Sequence, residues 1–279
     1  MDAPLVRAYL EALPDLPSDG KALERVRFCL AALQSPDVRY LVAAVVGPDA
    51  GEIARVTAAV LRAAGAPTGI LGRSLAATTI DGAPIDDGLL ARAGTLTAAS
   101  GYQLADLGRD LGELTRHEAS VILGLTAFAE ASQRVALLVD EAVSPTDVVH
   151  APRPDLLVVG TVDRDGADRA LALVPEGGPA VVSLLADDAR AHVEERVAES
   201  GTPTLIGGRD HRLEERDGRL VFVVRDDPYV AFDPVAGIAP SALATGIAAA
   251  LALGVMGIRM REDWITTGIA SLGAEPVAP

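Results

Sequence analysis

Residues 40–46 read Tyr40-Leu41-Val42-Ala43-Ala44-Val45-Val46, and Gly47-Pro48-Asp49-Ala50-Gly51 follows directly. The first seven residues carry no charge. A run of that length, rich in valine and bounded by a turn, is what a parallel strand covered on both faces requires. The turn opens a helix that the pattern places from about Glu52 to Ala64. Strand, glycine-bearing turn and helix together specify an α/β protein. They also mark a first place to look for a ligand, because the carboxyl end of such a strand faces a helix N-terminus where phosphates bind.

Working outward, the same alternation recurs. Ala3 to Leu13 and Asp19 to Leu33 read as two N-terminal helices, with Leu23, Val26, Leu30 and Leu33 at helical spacing. Beyond the first strand and helix come a strand at Thr68 to Leu71 and a hairpin around Asp81-Gly82. Helices follow at Asp87 to Leu104 and Thr115 to Ala131. Strands at Val135 to Val139, Leu156 to Val159, Ala180 to Leu184 and Thr204 to Ile206 alternate with helices near Asp165 to Leu173 and Asp187 to Ser200. His211 to Glu215 and Arg219 to Val224 flank Asp217-Gly218, a hairpin signal, and Tyr229 to Phe232 adds a third strand. An alanine-rich helix from Pro240 to Gly254, a last helix near Glu262 to Leu272 and a tail, Pro276 to Pro279, complete the reading. The expected architecture is a mostly parallel sheet with helices on both faces and a small antiparallel piece.

Composition narrows the function. Asp and Glu total 39 against 24 Lys and Arg, a formal charge of −15, which repels phosphate backbones and anionic lipid headgroups. Neither nucleic acid nor a membrane surface is an expected partner. The stretch from Pro234 to Ile258 carries no charge, but its glycines and prolines and its alanine content fit a buried helix better than a membrane span. The N-terminus lacks the continuous apolar run of a secretory signal, and a cytoplasmic location is expected. The lone cysteine, Cys29, lies at a helical core position and excludes an internal disulfide framework. Aromatics are only 3%, so the core is built from Ala, Val, Leu and Ile. Lys21 is the only lysine, and there is no asparagine. A phosphate-gripping lysine, a modified lysine or a metal-orienting asparagine is therefore scarce or missing.

The segment Gly47, Pro48, Asp49, Ala50, Gly51, Glu52 has the position of a phosphate loop but not its chemistry. Such a loop ends in Lys followed by Ser or Thr. Here Pro48 removes an amide donor, and Asp49 and Glu52 place negative charge where a triphosphate would lie. A structural strand-to-helix turn capped by Asp49 is the expectation. Asp140, Glu141, Asp163 and Asp165 follow strand ends and are candidates for a hard-cation cluster at the sheet's carboxyl edge, against the plainer role of solvated loop acids. His117 and Glu118 lie on one helix, where packing or capping stands against catalysis. His150, His192 and His211 lack ligand-like spacing for zinc.

In order and wording these segments resemble the folylpolyglutamate synthases of the ATP-dependent Mur ligase superfamily. Val45 to Ala54 and Ala59-Val60-Leu61-Arg62-Ala63-Ala64-Gly65 are similar to that family's phosphate loop and its following helix. Ile80-Asp81-Gly82-Ala83-Pro84-Ile85 resembles its I-N-G-x-P-I hairpin, and Thr115-Arg116-His117-Glu118 with Leu125-Thr126-Ala127-Phe128 its T-x-F-E…T-A-x-A-F helix. Gly177-Gly178-Pro179-Ala180-Val181-Val182-Ser183 and Ala248 to Gly254 match later elements.

The resemblance implies a Mur-ligase-like central domain over residues 1–279, with the two N-terminal helices (about 1–36) included and the C-terminal ligase domain absent. It also implies where the family's functional residues fall. The loop lysine lands on Gly51 and the Ser-Thr pair on Ile53 and Ala54. The metal-binding glutamate lands by Asp140 and Glu141, and D-A-T-N on Thr146-Asp147-Val148-Val149. The N-I-G-x-D-H segment lands on Thr161 to Asp165, the carbamylated lysine near Ala170 and the helix asparagine near Ala242. The expected function is thus a relative that has lost ligase activity and acts as a binding or regulatory subunit. It would hold no cofactor and would pair with another protein or with itself. The alternative is an ATP- and Mg-dependent amide ligase whose site is rebuilt around Asp140, Glu141 or Asp163, with arginines such as Arg164 for phosphate.

Overall fold

The computed structural model describes residues 1–17, 19–174 and 177–273, and the Pro276 to Pro279 tail lies outside them. In chain order the helices and strands are α1 (Ala3–Ala12), α2 (Ala22–Ala32), β1 (Leu41–Val46), α3 (Ala50–Ala63), β2 (Thr68–Leu71), β3 (Thr79–Ile80), β4 (Ala83–Pro84), α4 (Asp87–Leu107) and α5 (Arg116–Glu130). Then come β5 (Val135–Asp140), β6 (Leu156–Val159), α6 (Arg164–Leu171), β7 (Ala180–Val182), α7 (Asp187–Ser200), β8 (Thr204–Ile206), β9 (His211–Arg216), β10 (Arg219–Val224), β11 (Asp227–Phe232), α8 (Pro240–Val255) and α9 (Glu262–Leu272).

Eight strands form one sheet in the order β4-β3-β2-β5-β1-β6-β7-β8, and three form a second in the order β11-β10-β9. In the large sheet β2–β5, β1–β6, β6–β7 and β7–β8 pair in parallel, while β3 and β4 are antiparallel trim. The α/β class, the mostly parallel sheet and the small antiparallel piece expected from the sequence are all present. Several boundaries differ by two or three residues: α2 begins at Ala22 rather than Asp19, α6 ends at Leu171 rather than Leu173, β7 ends at Val182 rather than Leu184, and β11 begins at Asp227 rather than Tyr229. Helix α3 begins at Ala50, two residues early, and α4 runs on to Leu107 until Gly108 closes it with a bond from its amide to Leu104 O. The shifts at α3 and α4 disturb no apolar periodicity and were not visible in it.

The chain forms two compact units. One comprises Met1–Val42, Pro67–Leu138 and Thr146–Arg153; the other comprises Ala43–Ala66, Val139–Pro145 and Pro154 onward. In the first, α1, α2, α4 and α5 pack on one another, and Val6, Leu10, Val26, Leu30, Leu90 and Ile122 are buried among them. Cys29 is fully buried there, donating to Ser100 O at 3.7 Å, and burial pushes its thiol up to about 11. It behaves as the small hydrophobe the sequence implied. Tyr40 meets Phe128 edge-on and donates its hydroxyl to Leu125 O at 3.0 Å.

In the second unit, Ala44, Val46, Leu157, Val159, Ala180 and Val182 pack against residues of α6 and α7, while α8 packs on β6 and β7. Helix α8 is the charge-free stretch of the sequence. It is 16 residues long, and among the described residues no helix is long and apolar enough to cross a membrane. Helix α3 lies against both α8 and α9. With few aromatics to fill space, these helices close the gap by backbone approach. A Cβ on Gly246 would lie 2.6 Å from Val56, and one on Gly268 would lie 2.7 Å from both Ala59 O and Val60 Cα. The α3–α9 contact leaves no flexible side chain to move aside. Gly268→Ala is therefore expected to destabilise the fold by about 1–3 kcal/mol, read as a lower midpoint of urea unfolding with an unchanged slope.

Candidate functional site

The loop after β1 is built by strand ends of the second unit. Gly47 N donates to Asp140 O (3.0 Å) and Gly160 N to Val46 O (2.7 Å), which seats the loop between the ends of β5 and β6. Gly47 adopts φ +124°, a conformation glycine enters without strain. Asp49 occupies the N-cap position of α3, yet its carboxylate makes no bond to the helix amides. It turns instead across the loop, where Oδ1 accepts from Thr161 N at 2.8 Å and Oδ2 from Thr161 Oγ1 at 2.9 Å. The capping role expected of Asp49 is thus replaced by a tie to the segment after β6. Gly160 makes room for it, since a Cβ there would collide with Asp49 Oδ1.

The neighbouring acids are also engaged. Glu52 Oε2 accepts from Ala239 N at 3.1 Å, the residue that caps α8. Glu141 Oε1 stands 3.4 Å from where a Gly51 Cβ would be, so the position matched to the family's lysine faces a carboxylate. Asp140 is buried, and its two oxygens accept from Ala142 N (3.0 Å) and Ser144 N (2.6 Å). Asp163 caps α6 by accepting from Gly166 N at 2.7 Å. Among the described residues, no group of three or more His, Cys, Asp or Glu side chains is arranged to hold a metal ion. Asp140 spends both its oxygens, and Asp163 its Oδ1, on backbone amides of their own turns.

His117 and Glu118 lie in the first unit, at the start of α5. Thr115 and Glu118 form a reciprocal capping box: Glu118 N donates to Thr115 Oγ1 (3.3 Å) and Thr115 N to Glu118 Oε2 (3.1 Å). Glu118 is fully buried and forms a two-pronged pair with Arg25, with Nη2 at 2.6 Å from Oε1 and Nε at 2.9 Å from Oε2. Arg25 also donates to Leu111 O (2.9 Å) and to Asp19 (3.1 Å). The hydrogen bonds to Glu118 hold its guanidinium even more firmly protonated than usual, against the opposing effect of burial.

His117 Nε2 lies 3.0 Å from Asp147 Oδ1, and both side chains are 24% exposed. The hydrogen bond to Asp147 raises the imidazole above its ordinary value, with burial and the Arg73 charge opposing and a backbone hydrogen bond to Arg73 reinforcing. Burial acts to raise Asp147, but the hydrogen bonds from His117 and Val149 N outweigh it and lower the carboxyl. The sequence singled out His117 and Glu118 without their partners. Arg25 and Asp147 lie 93 and 30 residues away and carry no local signal. Thr115-x-x-Glu118, by contrast, is a readable capping box.

Solved structures of folylpolyglutamate synthases share this architecture. The apo form of the L. casei enzyme aligns at TM-score 0.84 and 22% identity, over 98% of this chain and 72% of that one. A folylpolyglutamate synthase–AMPPCP–folate complex aligns at 0.83 and 22%, with the same coverage. The Mycobacterium tuberculosis enzyme complexed with ADP aligns at 0.76 and 14%, over 96% and 65%. No protein-family model and no curated protein matches the chain. At these identities the likeness defines the fold: this chain has the α/β fold of the folylpolyglutamate synthases and Mur ligases.

Two outcomes are expected in the first unit. Glu118→Ala leaves Arg25 without its buried partner and should cost about 3–5 kcal/mol in chemical denaturation, whereas Asp19→Ala, at an exposed partner, should cost far less. An NMR titration should place His117 above the usual histidine value of about 6.5, and Asp147→Asn should bring it down. The sign of the stability effect follows. The raised histidine contributes fully below about pH 6.5 and loses its contribution as pH rises through its folded pKa; the lowered aspartate contributes above about pH 4 and loses its share as pH falls. The difference in urea midpoint between wild type and Asp147→Asn should be greatest between those limits and shrink at alkaline pH.

Proposed function

We propose that this chain uses a ligase fold without ligase activity and serves as a binding or regulatory subunit, paired with a ligase-like protein or with a second copy of itself. The observation that carries the reading is the Asp49 carboxylate, lodged across the loop on Thr161 and accommodated by Gly160. The donors of Thr161 are already taken by a charge of the same sign as a polyphosphate. Glu52 and Glu141 add to it, and no lysine stands in the loop to offset them. The loop residues present therefore fit a triphosphate poorly, and no catalytic step is assigned to it. A cytoplasmic location belongs to the same reading.

A second reading has its own support. Folylpolyglutamate synthases of this fold are known complexed with AMPPCP and with ADP, which favours an ATP- and Mg-dependent amide ligase rebuilt around Asp140, Glu141 and Asp163. Calorimetric titration with ATP and Mg²⁺ separates the two. No saturable heat is expected up to millimolar nucleotide, where binding would be worth only about −4.1 kcal/mol. A saturable signal that disappears in Asp163→Ala would overturn the proposal and establish the rebuilt site.

A further inference from the structure

The antiparallel sheet of the second unit joins the parallel one at the turn between β8 and β9, and the joint centres on one carbonyl. Val182 O, at the end of β7, accepts from Gly207 N at 2.8 Å and also from His211 Nε2 at 3.0 Å. Gly208 N closes the turn onto His211 O at 2.9 Å. His211 is 1% exposed, and its ring lies 6.4 Å from that of Phe222 in β10. Its second nitrogen, Nδ1, is buried without a hydrogen-bond partner, as is the hydroxyl of Ser183 at the same strand end.

A carbonyl only accepts, so the bond to Val182 requires the proton on Nε2 and leaves Nδ1 as a bare acceptor. The ring that fits this joint is the neutral one. A second proton would turn Nδ1 into a donor facing no acceptor and would place a full charge out of reach of water. The surroundings supply little compensation. Helix α8, which packs on β9, and strand β7 carry no ionisable side chain. Asp210 adjoins the histidine, but its carboxylate is engaged by Ile206 N and Arg209. Of the remaining charges near the joint, Arg225 is cationic, and Glu214 and Asp226 are spent on Arg212, at 2.8 and 3.0 Å, so neither acid faces Nδ1 as a partner.

We propose that His211 is a proton-operated latch: neutral, it holds the β9–β11 sheet to β7 through Val182, and protonated, it releases that joint. Burial acts in the same direction, holding the imidazole below its ordinary value against the smaller opposing effects of the Val182 hydrogen bond and Asp210. The closed joint thus binds fewer protons than the open one. It is fully favoured above about pH 6.5 and weakens as pH falls, by up to about tenfold per pH unit until the closed-state pKa is passed.

Backbone hydrogen exchange, corrected for intrinsic rates, tests this between pH 8 and 5. Protection at Gly207 and Gly208, whose amides close the joint on Val182 O and His211 O, should fall by up to about tenfold per pH unit below about 6.5, while Val45 in β1 keeps its protection. His211→Gln retains a donor for Val182 O but does not titrate, and should abolish that dependence. Should that variant fail to fold, the imidazole titration of the wild-type protein decides. A neutral Nε2–H tautomer with a pKa below 6.5, protonating as protection is lost, supports the latch. Protection that is flat with pH, a His211→Gln variant with unchanged dependence, or a His211 that protonates while protection persists would each overturn it.

Discussion

Helix α3 is held at backbone contact, and the loop that precedes it can be no looser than the helix. A chain with 3% aromatic residues has few large side chains with which to bridge helices. Burial therefore comes from bringing helices close, and α3 shows the result: nine of its residues are buried, and glycines of α8 and α9 meet its backbone and its Val56. Thr57 Oγ1 adds a bond to Gly246 O at 3.2 Å, beside its bond to Ile53 O within the helix. Close packing of this kind has little slack, because interiors are near crystal density and no long side chain can adjust. The N-terminus of α3 is positioned accordingly, and with it Asp49, Gly51 and Glu52.

On that rigid start the chain sets acids against amides. Asp49 takes the Thr161 amide and hydroxyl, Glu52 the Ala239 amide, Asp140 the amides of Ala142 and Ser144, and Asp163 that of Gly166. The donors are of the kind that would cradle an external anion, but the anions come from the chain. Charge-assisted bonds to backbone amides are among the stronger polar contacts available to a fold. They join the ends of strands and helices that lack ladder partners. The acidic net charge of −15 is thus partly put to structural use.

In the first unit the same problem has another solution. Glu118 is fully buried and is answered by Arg25, which is 3% exposed, so charge is neutralised pairwise rather than spent on amides. The pair brings α2 to the start of α5, where the capping box already consumes one oxygen of the carboxylate. His117, one residue earlier, ties α5 to the turn at Asp147 through a bond whose strength depends on protonation.

The sequence by itself determined the class of fold and nearly all of its elements. Apolar runs of strand length and apolar spacing of helical period depend on neighbours a few residues apart, and Asp217-Gly218 names its own turn. It also placed the loop at Gly47 to Glu52 and showed its lack of lysine. Tertiary structure alone decided where the charges go. Asp49 reads as a helix cap because its local partners are helix amides, yet Thr161, 112 residues away, offers two donors at once. Glu118 and His117 likewise wait on Arg25 and Asp147, and His211, with no ligand-like spacing to mark it, becomes the buried donor of a sheet joint. Periodicity encodes which face of an element is buried; it does not encode which distant polar group arrives there, and that choice was made by the packing of the elements.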